Sequence, residues 1–409
     1  MASRDHAKRH TELKTRCVCF VNGFKIQSTT FPSTFPPPHL ILTSPPPPSQ
    51  LDETVSRSLK LKMMTGIFDP LDDQPYTTIG IDALGSNDHH TLAYDVAAQG
   101  IVLLQNPLRH DGDEDETKGG NTAAGRAMTG TTAAAVLPLD LPSSSPASQS
   151  SKWTSKTITT AVIGPHANST RKLLGSYFDQ ACPPTPGLAP SDPNYQRWDC
   201  IETPLHAITA LLDRTAAAAA RQQRSTSFSA SPSSSSSSSP APASSVVYAP
   251  GCDRIECDNA SSLIPEAAAV AAKADQVILL MGLYEHLEGE GNDRTNTTLP
   301  GAQQQLIDAV VAAVAPGTPV VVVLVNGGIL SVDKLVSQTG EMGETEGATT
   351  AVVGGKEVAL VEAWYPGVRG AAALADAIFG VTNRFGKLPV TVYRDSFSAQ
   401  VRRNDSGVV

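Results

Sequence analysis

The sequence is short of charge and of aromatic side chains. Charged residues make up 17% of its 409 positions, and Phe, Trp and Tyr together 5%, where an ordinary globular chain is about a quarter charged. Ser, Thr, Ala and Pro fill the difference. Basic residues are the scarcer sign, 31 against 40 acidic ones, for a net charge of −9. Nucleic acids and anionic membrane surfaces both call for a basic face, so neither is an expected partner. No apolar run approaches the roughly 18 residues that suggest a membrane span. None of the six cysteines forms a C-x-x-C pair, and His286 has no second ligand at helical spacing, so no metal is expected. There is no G-x-S-x-G elbow, no Walker A lysine and no G-x-G-x-x-G opening a helix after a strand. A hydrolase serine and a nucleotide cofactor are therefore both unsupported, and no cofactor is expected.

A clear secretory leader is also missing. The basic stretch Arg4 to Arg16 is long, and the apolar piece Cys17 to Phe24 is short and broken by Asn22 and Gly23. Other features do fit a secretory chain. N-x-S/T sequons stand at Asn168, Asn259, Asn296 and Asn404. Outside the Cys17/Cys19 pair, four cysteines remain, which allow three pairings. Loop proximity favours Cys252 with Cys257 and Cys182 with Cys200.

What is present is a β/α alternation interrupted by low-complexity tracts. Residues 1–50 carry two proline runs and no sustained periodicity, and read as a disordered tail. Residues 51–66 have helical spacing, with Leu51, Val55, Leu59, Leu61 and Met63 recurring at three to four. His89 to Gln105 reads as a second helix. Insertions without core-forming pattern are expected at 108–135, 143–155, 215–245 and 340–355, the third holding seven consecutive serines. Strands are predicted at 157–164, 246–248, 276–283, 319–325, 358–365 and 388–393. Helices are predicted at 205–212 (running into an alanine stretch), 262–274, 303–314 and 370–379. Near-continuous apolar strands between helices predict a mostly parallel sheet covered on both faces, a three-layer α/β sandwich. Residues 396–409 read as a second tail.

In such a sheet the loops beyond the carboxyl ends of the strands form the ligand crevice. The loop after 276–283 is the richest, with Glu285, Glu288, Glu290, Asp293 and Arg294 inside ten residues. Gly289 and Gly291 flank Glu290 and leave the backbone free to present that carboxylate outward. A carboxylate on such a loop acts as a general acid where its surroundings raise its pKa. It is otherwise a solvated acidic loop, with Asp293 and Arg294 as a local pair that fixes it. Gly327-Gly328 either brings backbone close to a ligand or only turns the chain. Trp364 and Tyr365, at a strand end, either stack a sugar ring or belong to the core.

These segments, in order, resemble the C-terminal half of glycoside hydrolase family 3, nearest its β-xylosidase/α-L-arabinofuranosidase branch. The resemblance is carried by LKMMTGIFDP (61–70), QPYTTIG (74–80), HHTLAYDVAAQGIVLLQN (89–106), VLPLD (136–140), AVIGPHANSTRKLLGSY (161–177), CIETPLHAI (200–208), YAPGC (248–252), EGEGNDRTNTTLPGAQQQLI (288–307), VVVLVNGG (321–328) and EAWYPGVRGAAALADAIFGVTNRFGKLPVT (362–391). It implies that 51–88 is a helix and linker leaving a barrel, and that 89–395 is the family's C-terminal α/β sandwich. It also implies a retaining mechanism, with an Asp nucleophile on the barrel and a Glu acid/base on the sandwich, the two carboxyls about 5–5.5 Å apart. Glu290 best fits the acid/base position, with Glu288 the alternative. Tyr284 stands where the branch usually has Asp, and Gln105 where it commonly has Lys. No barrel and no fibronectin-like domain are recognisable in these 409 residues. The expectations are therefore an oligosaccharide or glycoside substrate, a barrel supplied from elsewhere, an extracellular or secretory location, and negligible glycosidase activity alone. The rival expectations are a non-catalytic sugar-binding or interaction module, and an inactive piece of a longer gene product.

Overall fold

The computed structural model describes residues 19–21, 24–26, 47–80, 83, 85–108, 135–142, 157–178, 181–189, 191–227, 243–260, 262–335, 352–353 and 356–398. The chain forms two compact units, 1–84 and 85–409.

In the first unit, β1 (Cys19–Val21) and β2 (Phe24–Ile26) pair antiparallel; the rest of the expected tail before residue 47 lies outside the described residues. Helix α1 (Pro48–Met64) starts with Pro48 at its first turn, where the missing N–H costs nothing, and ends at Thr65. None of its residues is buried, and Leu51, Val55, Leu59, Leu61 and Met63 all face solvent.

The second unit opens with α2 (Asn87–Gly100), capped by Ser86, whose Oγ accepts the His89 N–H at 3.2 Å. Periodicity alone predicts a helix through Gln105. It stops at Gly100, and β3 (Val102–Gln105) follows directly. The Val-Leu-Leu run has a strand waiting for it, and pairing outweighs helical periodicity. Next come β4 (Ile158–Ile163), α3 (Pro204–Ser227), β5 (Ser244–Ala249), α4 (Leu263–Ala271), β6 (Gln276–Gly282), α5 (Glu285–Glu288), α6 (Gln303–Ala313) and β7 (Val320–Val325). The short strands β8 (Val352–Val353) and β9 (Lys356–Glu357) form a hairpin before β10 (Ala359–Glu362), α7 (Gly370–Ile378) and α8 (Asp395–Ser398).

Six strands make one sheet in the order β3-β10-β7-β6-β4-β5. Five are parallel, and β3 runs antiparallel at the edge against β10. Every residue of β6 and β7 is buried. Alternation along β6 divides the core between two faces. Val277, Leu279 and Met281 pack with Ala267, Ala271, Leu306 and Val310 of α4 and α6. Ile278 and Leu280 pack with Ala97, Ile208, Leu212 and Leu374 of α2, α3 and α7. This is the three-layer sandwich, with a mostly parallel sheet.

Two further expectations are corrected. The tract 215–245 is not an insertion throughout, because α3 continues to Ser227 and β5 begins at Ser244. Alanine is the strongest helix former, and the 216–220 run extends α3 rather than ending it. The last strand, 388–393, does not form: Val390 and Tyr393 are exposed and the segment is irregular. Pro389 lacks the N–H a ladder needs. The interiors of the tracts 108–135 and 143–155, most of 340–355 and residues 399–409 lie outside the described residues. The ends of the first tract meet in a bridge between Leu108 and Ala135.

One surface residue has a defined structural duty. Lys356 Nζ donates to the carbonyls of Val311, Ala312 and Val314 at 2.8, 3.3 and 2.5 Å, where α6 ends. A cation at a helix C-terminus satisfies orphan carbonyls and opposes the helix dipole. Lys356→Met is expected to lower the unfolding free energy by about 1–2 kcal/mol, measured by urea denaturation.

Candidate active site

The carboxyl ends of β4, β6, β7 and β10 bring four loops together, and the loop after β6 lies at their centre. Gln303, fully buried at the start of α6, holds its root: its side chain accepts from Gly282 N at 2.8 Å and donates to Gly282 O at 2.9 Å. Leu283 N donates to Val325 O of β7 at 2.7 Å. From the β4 loop, the fully buried His166 donates through Nε2 to Leu283 O at 2.8 Å. Burial pushes the imidazole pKa down to about 3, so the ring is neutral, and its buried Nδ1 has no hydrogen-bond partner among the described residues.

The next residues are tied to the neighbouring loops. Tyr284 donates to Glu256, and burial followed by that bond pushes its phenol up to about 12. Glu285 is 8% exposed and ion-paired with Arg171 at 2.9 Å, the guanidinium lying off the hydrogen-bonding axis. Arg171 in turn lies against the rings of Phe178 and Trp198, at 5.5 and 5.6 Å from their centroids.

Glu288 and Glu290 differ sharply. The Glu288 side chain is 8% exposed. Oε1 accepts the Gly327 N–H at 2.6 Å and the Tyr365 hydroxyl at 2.5 Å, and Oε2 accepts the Gly328 N–H at 2.8 Å. Arg294 Nη1 stands 4.0 Å from Oε2. Glycine is needed in this cradle because a Cβ on residue 328 would come within 2.6 Å of that carboxylate. Burial, and then donation to Glu288, raises the Tyr365 pKa. Glu290, two residues on, is exposed; its one hydrogen bond among the described residues comes from Tyr177, whose hydroxyl donates to Oε2 at 3.2 Å. Gly291 turns the chain behind it with a φ of +85°, in the left-handed region.

The other expected residues fall as follows. Arg294 braces the loop, but through the Ile329 and Thr298 carbonyls at 2.9 and 3.0 Å and through Glu288, not through the exposed Asp293. The Gly327-Gly328 backbone serves a carboxylate of the chain itself. Tyr365 is half-buried with its hydroxyl committed, and a methyl group at Gly175 or Gly327 would lie 2.7 Å from its ring. Trp364 is half-buried, with a φ of +52°. Disulfides join Cys182 to Cys200 and Cys252 to Cys257, with Cα separations of 5.6 and 4.9 Å. Asn168, Asn259 and Asn296 are exposed, while Asn404 lies outside the described residues.

Sequence reasoning passed over Tyr177, Arg171, His166, Asn326 and Glu362. Glu362, 4% exposed, ends β10. Burial is the main reason its carboxyl is pushed up to about 7, with the nearby Glu288 charge adding to it. A lone acid at the end of an apolar strand was the available signal. Among the described residues no cluster of His, Cys, Asp and Glu could hold a metal, and no helix is long and apolar enough to cross a membrane.

Residues 135–406 match the model of the glycosyl hydrolase family 3 C-terminal domain. The chain belongs to that family. It is 30% identical over 354 residues to β-xylosidase/α-L-arabinofuranosidase 1 of Medicago sativa subsp. varia, covering 86% of this chain and 32% of that one. It is 28% identical to probable β-D-xylosidase 7 of Arabidopsis thaliana, with 85% and 32% covered. A solved family 3 exo-β-xylosidase, bound to a xylobiose aziridine probe, superposes with a TM-score of 0.52 at 25% identity, covering 86% of this chain and 31% of that one. The family 3 chain described here thus spans about a third of the length of these relatives.

Proposed function

We propose that this domain supplies the general acid/base of a retaining β-xylosidase-type hydrolase, and that Glu290 is that residue. The observation that carries the reading is the contrast within one loop. Glu288 is consumed by two backbone N–H groups, a phenol and a guanidinium. Glu290 stands exposed at the tip of the loop those bonds hold, with Tyr177 as its donor. A group that must give a proton to a leaving glycoside oxygen, then take one from water, has to be reachable and held in place. The nucleophile is left to a barrel domain of the kind the family resemblance implies, and the substrate to a β-xyloside or related glycoside. Two disulfides support a secretory or extracellular setting.

The test joins this domain to a family 3 barrel domain that carries the nucleophilic Asp and assays nitrophenyl β-xyloside. Glu290→Ala is expected to cost about 10²–10⁴ in kcat/KM. Unchanged turnover would reject the assignment. The 409-residue chain alone is expected to show no turnover.

A further inference from the structure

Glu362 lies at the root of a closed circuit that reaches Glu288 from two directions. Its Oε1 accepts the Trp364 N–H at 3.0 Å, and the adjoining residue, Tyr365, donates its hydroxyl to Glu288. Its Oε2 faces the Asn326 amide nitrogen at 3.3 Å. That same nitrogen donates to Gly328 O at 2.9 Å, and the N–H groups of Gly327 and Gly328 hold Glu288. Glu362 is 4% exposed and Asn326 fully buried. Trp364 keeps a left-handed φ of +52° that costs a non-glycine residue on the order of 1 kcal/mol or more, and the bond to Glu362 opposes its relaxation. A buried carboxyl without a task would be better replaced by an apolar side chain.

We propose that Glu362 is a positioning residue: acting through Asn326 and Trp364, it seats the Gly327-Gly328 turn and Tyr365 on Glu288, and so sets where the loop presents Glu290. Only the last clause rests on the function proposed above.

The groups facing Glu362 make its proton matter. Glu288 is the charged group that acts on Glu362 among the described residues; Glu288 itself accepts from the neutral Tyr365 hydroxyl and stands 4.0 Å from Arg294, and Asn326 carries no charge. With the carboxyl pushed up to about 7, the acid form sits beside the Glu288 carboxylate at lower pH. Ionisation places a second negative charge against the same cradle.

The test is an NMR titration of the 409-residue chain, deuterated and labelled with ¹⁵N-glycine and ¹³C′-asparagine. Asn-Gly occurs at 22–23 and 326–327, so the experiment gives the Gly327 amide and one internal control. The Gly327 shift is expected to move with an inflection near pH 7, and Gly23 to stay still. Glu362→Gln, which keeps the shape and the acceptor but cannot ionise, is expected to abolish the inflection and to match the wild-type shift at low pH. An absent inflection, or one that persists in Glu362→Gln, overturns the proposal. If Glu362→Gln fails to fold, the wild-type titration decides alone. In the barrel-joined chain, Glu362→Gln is expected to flatten the pH dependence of kcat/KM near 7. A correct NMR result beside a harmless Glu290→Ala would sink the assignment of Glu290 and leave the positioning of Glu288 standing.

Discussion

Glu288→Ala is expected to lower the unfolding free energy by about 3 kcal/mol, while Glu290→Ala changes it by less than ~0.5 kcal/mol. The two residues are two positions apart in one acidic loop, so composition and net charge do not separate them. Their environments do. Removing the Glu288 carboxylate strands the Gly327 and Gly328 N–H groups and the Tyr365 hydroxyl together, and leaves Arg294 without its carboxylate neighbour. Charge-assisted bonds contribute about 1.5–3 kcal/mol each, and donors left unmade in a closed space add to the loss. Removing Glu290 frees one exposed phenol, Tyr177, which water can serve. Urea denaturation of the two variants with unchanged m-values tests this. Equal losses would mean that Glu288 does not anchor the loop and that the two carboxylates do not differ in role.

A second large effect is hidden in the wild type because two buried groups oppose each other. His166 has a folded pKa of about 3 against 6.5 for an ordinary histidine. Its folded value is lowered, so its contribution is full above 6.5 and is lost as pH falls towards 3. Glu362 has a folded pKa of about 7 against an ordinary 4.5. Its folded value is raised, so its contribution is full below 4.5 and is lost as pH rises through 7. Between 4.5 and 6.5 the slopes have opposite signs, each about 1.4 kcal/mol per pH unit. The two groups therefore nearly cancel there. Single substitutions unmask them. On acidification from 6.5 to 4.5, Glu362→Gln is expected to lose about 2 kcal/mol and His166→Gln to gain about 2 kcal/mol. Urea midpoints across that range decide it, and parallel curves for the three proteins would contradict both assignments.

The sequence carried the sheet well where burial is complete. The runs that became β6 and β7 are apolar on both faces, and such runs have one stable home, the middle of a covered parallel sheet. It misled at the edges. The end of α2 and the start of β3 share one apolar stretch, and only the presence of β10 beside Val102–Gln105 decides between them. The segment at 388–393 has strand composition but no described partner strand. The site loop was legible because its five charged residues fall within ten positions. What its residues do was less so. In sequence only the flanking glycines and the family resemblance set Glu290 apart from Glu288; that Glu288 is a buried anchor emerges when Gly327, Gly328 and Tyr365 arrive from β7 and β10, and Arg294 turns away from its neighbour Asp293 to reach backbone carbonyls. Glu362, Asn326, Tyr177 and His166 are isolated in sequence, and their meaning comes only from what the fold places against them.

The claim at the centre of this account is that Glu290 gives and takes the proton while Glu288 holds it in position. It is tested most directly by leaving-group dependence in the barrel-joined domain. A general acid matters most when the departing oxygen is basic. With Glu290→Ala, hydrolysis of an alkyl or xylobiose glycoside is expected to fall by about 10²–10⁴, while release of an acidic dinitrophenol, which leaves without protonation, falls far less. An equal fall for both leaving groups in Glu290→Ala, or no fall for the alkyl glycoside, would contradict it.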